Sequence, residues 1–239
     1  MGIAAVYQYS VAVLVTLVVA PAAYVLASLG LHRAAYSQVR AFAWAAHAFT
    51  GVRSRAQGLS KVPKVGSYVV VSNHNSHLDA PALVRRLPHP LYFIIKRELA
   101  RIPIWGNAAV KLGFIAVDRG RTERARAQMR QAIETIRSGR RVLVFAEGTR
   151  SEDGRLQPFK KGGFHLAIDA QVPILPVAIN GSYTLLPKGQ PAARPGVVDV
   201  IVCDPISTTG LGKKDLPELV ARTREAILEA RRLDPDFIE

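Results

Sequence analysis

The sequence predicts an α/β fold: a mostly parallel, mixed sheet flanked by helices and preceded by a hydrophobic two-helix membrane anchor. Three observations carry this. From Val62 onward, short β-branched runs alternate with helical segments, the pattern of a parallel sheet with crossover helices. Four of those runs end in polar or charged residues. No Lys, Arg, Asp or Glu occurs before Arg33.

The uncharged stretch from Met1 to Leu31 exceeds the roughly 20 residues that cross a hydrocarbon core as a helix. A cleavable signal peptide is the competing reading, but its basic n-region is missing. The following "AAYSQVRAFAWAAHAFTG", with Tyr36, Phe42, Trp44 and Phe49, reads as an interfacial helix or the return leg of a helical pair. Pro21 leaves open whether the first leg spans or re-enters. Residues 1–52 form the anchor and residues 53–239 the α/β domain. Arg33, Arg40, Arg53, Arg55, Lys61 and Lys64 precede the first acid, Asp79, and are expected to face the cytoplasm.

The formal charge of +14 attracts either nucleic acid or an anionic membrane. The apolar segment favours the membrane surface. No platform of interleaved aromatic and basic residues favours nucleic acid, and none is expected as a partner. With 49% hydrophobic residues in 239, the chain can bury a full core. The single cysteine, Cys203, makes neither an internal disulfide nor a thiolate zinc cluster.

Strands are expected at 67–73, 91–96, 113–118, 141–148, 174–180 and 197–206, each bounded by Gly, Pro or Asn. Between them "TERARAQMRQAIETIRSG" places Ala125, Met129, Ala132 or Ile133, and Ile136 on one helical face, with Gly139 as the stop. The tail from Lys213 to Leu233 is a second amphipathic helix, and a short helix starts near Asp79.

In an open α/β sheet the ligand site lies outside the carboxyl ends of the strands. Four runs deliver Asn73-His74, Lys96-Arg97-Glu98, Asp118-Arg119 and Glu147-Gly148-Thr149-Arg150 to one rim. If Asp79 folds back onto His74, the carboxylate fixes the tautomer and leaves the other ring nitrogen to take a proton. Asp79 as a plain helix N-cap is the bland alternative. His74, His77 and Asp79 supply at most three metal ligands with no fourth cluster, so no metal is expected. Arg119 and Arg150 suit a phosphate, and the amides of Gly148 and Thr149 add to that if they form a concave turn. Glu147 then orients an arginine or accepts from a hydroxyl.

The same residues resemble the glycerolipid acyltransferases. "NHNSHLD" (73–79) is similar to the family's N-H-x-x-x-x-D motif. "GFIAVDR" (113–119), "FAEGTRS" (145–151) and "VPILPV" (172–177) follow in the family's order, with "PFKKGGF" (158–164) after the third. Ala146 replaces the proline usual in F-P-E-G-T-R. The pattern is closest to bacterial 1-acylglycerol-3-phosphate acyltransferases. The resemblance implies transfer of a fatty acyl group from acyl-CoA or acyl carrier protein to a lysophospholipid hydroxyl, with no cofactor. Alternative acceptors are glycerol 3-phosphate or another lysolipid. It implies His74 as base and Asp79 as its orienting acid. Arg119, Glu147, Gly148, Thr149 and Arg150 would hold the acceptor phosphate, joined by Lys96 and Lys160. Asn73 and Gly113 would shape the motifs, and Pro176 the acyl-binding wall. The enzyme would sit in the inner membrane with its domain on the cytoplasmic face.

Overall fold

The computed structural model describes residues 2–117 and 123–234, residues 123–126 by backbone alone. Asp118, Arg119 and the side chain of Ala125, each given a place by the sequence, lie outside the described residues.

The strands are β1 (Val52–Gln57), β2 (Val69–Ser72), β3 (Leu91–Lys96), β4 (Ile115–Val117), β5 (Arg141–Phe145), β6 (Ile174–Asn180) and β7 (Gly196–Val202). They form a seven-stranded sheet in the order β1-β7-β6-β2-β5-β3-β4, with only β6 and β7 antiparallel. This is the expected mixed, mostly parallel sheet. β2, β3, β4 and β5 run parallel, so their carboxyl ends share one edge.

The helices are α1 (Ile3–Ser28), α2 (His32–Ala48), α3 (Asp79–Arg86), α4 (Arg97–Ala100), α5 (Trp105–Leu112), α6 (Glu123–Arg137), α7 (Gly162–Ala170), α8 (Ser182–Leu185) and α9 (Leu216–Arg231). Strand alternation divides the core. Val69, Val71, Ile174 and Ala178 pack against Ile136 of α6, Phe164 of α7 and Ile227 of α9. Val70, Leu143, Leu175 and Val177 face Leu83 and Leu87 on the other side, where α3 lies. A small alanine-rich cluster joins α1 through Ala20, Ala23 and Ala27 to Ala35 of α2 and to Ala108 and Leu112 of α5. Gly113, at φ 98°, ends α5 in the left-handed conformation and turns the chain toward β4.

The segment after α2, Val52–Gln57, is a strand on the edge of the sheet that sequence reading leaves out. There Arg55 pairs with Asp199 across the β1–β7 contact at 2.9 Å, and Lys61 pairs with Asp204 at 2.9 Å. α2 packs along α1 and is also tied to the domain: Arg40 donates to the carbonyls of Leu87 and Pro88, and Tyr36 Oη accepts from the Leu91 amide.

Asn73 extends the pairing of β2 with β6 beyond the last strand residue. Its Nδ2 donates to Ile179 O at 2.9 Å, and its Oδ1 accepts from Ile179 N at 2.8 Å. All of these groups are buried. Ala146 does the same on the β5 side, donating its amide to Ser72 O at 3.0 Å. A proline there has no such donor, so the family departure adds a rung to the ladder. Asn73→Ala orphans two buried backbone groups and is expected to cost about 2–4 kcal/mol, read as a lowered urea midpoint with an unchanged slope.

Candidate active site

β2 ends where its buried run meets Asn73, and the chain then wraps back so that Asp79, the first residue of α3, lies beneath His74. Asp79 Oδ2 accepts from His74 Nδ1 at 2.8 Å and from the amides of Asn75 and Ser76 at 2.7 and 2.8 Å. The carboxylate is fully buried, whereas the imidazole side chain keeps 20% of its surface exposed. Since Oδ2 only accepts, Nδ1 carries the proton and Nε2 is left for chemistry when the ring is neutral. Asp79 is therefore not the N-cap of α3: that position is Leu78, and no side-chain cap is made. It caps the loop that carries His74.

The ring is held on its face as well. Phe145, the last residue of β5, stacks on it at 3.9 Å with an interplanar angle of 10°. The main chain of His74 is fixed on both sides by the loop after β5: its amide donates to Glu147 Oε1 at 2.8 Å, and its carbonyl accepts from Ser151 N at 2.8 Å.

Glu147 is 2% exposed, and its second oxygen accepts from the Gln157 amide at 3.1 Å, so it braces two loops beneath the rim. Burial pushes its carboxyl up to about 7, against the pull of the His74 and Gln157 amides and of Arg231. The expected concave pair of amides is also absent, because Gly148 N donates to Phe145 O at 3.0 Å. Gly148 sits at φ 71°, and a Cβ there would lie 2.9 Å from Lys160 Cδ, so the lysine stem lies over the turn.

The cationic rim is partly assembled. Lys96 ends β3 on the same edge and is exposed, as are Thr149 and Lys160; Arg150 is half-buried. Burial first, then the charges of Arg150 and His74, hold His77 below the usual imidazole range. Among the described residues, no three His, Cys, Asp or Glu side chains converge as a metal site needs.

On the α3 side of the sheet, the His74 ring borders an apolar cavity of about 580 Å³. Phe93, Ile95 and Phe145 form its floor, α1 and α2 one wall, and Trp105 and Ala109 of α5 another. None of its lining residues is Lys, Arg, Asp or Glu. Pro176 is not among them. It falls between Leu175 and Val177, which face the α3 side, so it points to the opposite side of β6 and forms no acyl wall. Sequence reasoning misses that the first two helices build this wall. The signal for it is the run of alanines, which lets helices approach closely.

Comparison with known proteins follows the same lines. The acyltransferase family matches residues 53–180. Mouse 1-acyl-sn-glycerol-3-phosphate acyltransferase alpha is 39% identical over 180 residues, 74% of this chain and 63% of the mouse protein. The Pseudomonas aeruginosa 1-acyl-sn-glycerol-3-phosphate acyltransferase is 33% identical over 188 residues, 78% of this chain and 72% of its own length. The crystal structure of the 1-acyl-sn-glycerophosphate acyltransferase from Thermotoga maritima superposes with a TM-score of 0.81 at 27% identity, covering 98% of this chain and 96% of that one. The chain spans less than two thirds of the mammalian relatives, 63% to 65% of their length. It belongs to the acyltransferase family.

Because Glu147 holds its proton more tightly in the folded protein, its contribution to stability is full below its ordinary value and is lost as pH rises to about 7. The thermal midpoint of the wild type is therefore expected to fall relative to Glu147→Gln between about pH 4.5 and 7, measured by melts in parallel buffers.

Proposed function

We propose that the chain transfers a fatty acyl group from an acyl thioester to the sn-2 hydroxyl of a 1-acylglycerol 3-phosphate, giving phosphatidic acid. The observation that carries this is the His74–Asp79 pair at the mouth of an uncharged cavity large enough for a hydrocarbon chain.

Nε2 of His74 takes the proton of the acceptor hydroxyl as its oxygen attacks the thioester carbonyl. The tetrahedral intermediate collapses, the carbon–sulfur bond breaks, and the imidazolium returns its proton to the departing thiolate. The donor, acyl-CoA or acyl carrier protein, is a co-substrate, and the step calls for no resident cofactor. The acceptor phosphate meets the cations at the strand ends, with Arg150, Lys96 and Lys160 as the candidates and Arg119 the proposed fourth. Pocket roles of this kind rest on charge and on their common edge of the sheet.

α1 is the one helix among the described residues long and apolar enough to cross a membrane. Its packing favours lying in one leaflet over crossing. Gln8 exchanges hydrogen bonds with the backbone of Ala193 at 3.0 and 2.8 Å, and Ala20, Ala23 and Ala27 pack on the domain further along. The helix thus follows the domain surface while Val13, Leu14, Leu17, Val18 and Val25 remain at least half exposed. That apolar face suits lipid. In this reading the domain rests on the cytoplasmic side of the inner membrane, where an interfacial lysolipid and a cytosolic thioester meet.

The test is acyl transfer in liposomes to acceptors that differ only in headgroup. Lysophosphatidic acid is expected to be the preferred acceptor, with turnover by His74→Ala lower by at least ~10²-fold. Preference for an acceptor lacking the phosphate would reject the assignment of the rim.

Narrowing the cavity has a separate expected outcome. Ala109→Phe removes room for two or more methylenes, each contributing ~0.8 kcal/mol, so the ratio of long- to medium-chain transfer falls on the order of tenfold in donor competition.

A further inference from the structure

Arg231 closes α9, outside the segment matched to the family, and is 5% exposed. An arginine in an amphipathic tail helix ordinarily faces water, and a guanidinium taken out of water needs acceptors and counter-charges. Its Nη2 donates to Gly154 O at 2.6 Å. Gly154 belongs to the loop whose Gln157 amide is held by Glu147.

The groups around the two side chains define the circuit. Burial draws Arg231 below its ordinary range, while four carboxylates favour its charge: Glu147 from the loop after β5, Asp234 just past α9, Asp79 from α3 and Asp153 from the 151–157 loop. Glu147 accepts from the amides of His74 and Gln157 and lies in the field of Arg231, which favours its charge, and of Asp79, which opposes it. The end of α9 is seated at the end of β6, where Ala230 O accepts from Asn180 Nδ2 at 3.1 Å and Asp234 Oδ2 accepts from the Gly181 amide at 2.8 Å. Asn180 follows Ile179, whose backbone is clasped by Asn73. α9 packs on the side of the sheet opposite the cavity, so Arg231 reaches the 151–157 loop from behind.

We propose that Arg231 is a positioning residue: its buried guanidinium is the counter-charge that lets Glu147 accept both amides, and so holds the His74 main chain in register with Asp79. This deepens the acyl-transfer reading and rests on it. A carboxylate accepts through both oxygens, whereas a carboxylic acid turns one of them into a donor that opposes an amide N–H. Without Arg231 the proton stays on Glu147 to higher pH, one amide loses its acceptor, and the loop under His74 loosens. The acceptor and the apolar cavity are untouched, so turnover falls and the acceptor KM does not rise.

A double-mutant cycle tests this: wild type, Arg231→Met, Glu147→Gln and the double variant, with Arg231→Lys as the charge-conserving control. Thermal midpoint and kcat are measured from pH 5 to 9. Arg231→Gln serves as the neutral variant should Arg231→Met fail to fold. In Arg231→Met, the pH at which the Glu147 contribution to the midpoint is lost is expected to move upward. kcat at pH 7 is expected to drop about fivefold, as a rise of about one unit in a carboxyl that titrates at about 7 gives, and to recover toward pH 9. Arg231→Lys retains most of the turnover, and in the Glu147→Gln background the Arg231→Met substitution adds no pH dependence. An unchanged pH profile, or an equal effect in the Glu147→Gln background, overturns the proposal. Absence of acyl transfer by the wild type overturns the functional reading instead, and the melting cycle then decides the Arg231–Glu147 coupling alone.

Discussion

One carboxylate oxygen organises the site. Asp79 Oδ2 collects the His74 ring and two successive backbone amides while wholly out of water. A buried charge of that kind persists only when its donors are fixed, because losing any one leaves it uncompensated. The fixing is done by the sheet. Asn73 clasps the backbone of β6, Ala146 adds a rung between β2 and β5, and Glu147 and Ser151 hold the His74 main chain from the next loop. The length of the five-residue step from His74 to Asp79 matters less than the three strand ends that clamp it.

The apolar half of the site is built by different parts of the chain. α1 and α2 close a cavity over the sheet floor, and the outer face of α1 is apolar too. The same helices thus border both the cavity and the exposed apolar surface. A leaflet pressed against one side and a hydrocarbon chain on the other fit this two-faced construction. On the proposed reading the anchor and the acyl-binding element are one structure, and detaching it would open the cavity.

Much of the fold is legible where a single physical signal decides the structure. β3 and β6 follow the expected bounds residue for residue, because each is a short apolar run that ends at a polar residue, Lys96 before α4 and Asn180 before the turn at Gly181. β1 escapes such a reading: it is an edge strand that buries Val52 and Ser54 and exposes Arg53 and Arg55, so it looks like a polar linker. α7 escapes it because its first turn is Gly162-Gly163, poor helix formers. Gly163 is nevertheless there for packing, since a Cβ would meet Val144 at 2.8 Å. The His74–Asp79 pairing is readable from short range, but the tasks of Glu147, Pro176 and Arg231 are not. Those depend on which side of a strand or loop a residue faces after long-range pairing. The motif around Glu147 suggests a recognition group, while its burial under Arg231 comes from a helix whose end lies more than 80 positions later.

Asp79 accepts the hydrogen bond from His74 Nδ1 and so leaves Nε2 as the base. Nitrogen-15 NMR of histidine-labelled protein in detergent, with His74 assigned by its substitution, reads this directly. A protonated Nδ1 and an unprotonated Nε2 are expected at a pH where the ring is neutral, with that bias lost in Asp79→Asn. A proton resident on Nε2 in the wild type, or the same tautomer in both proteins, would contradict it.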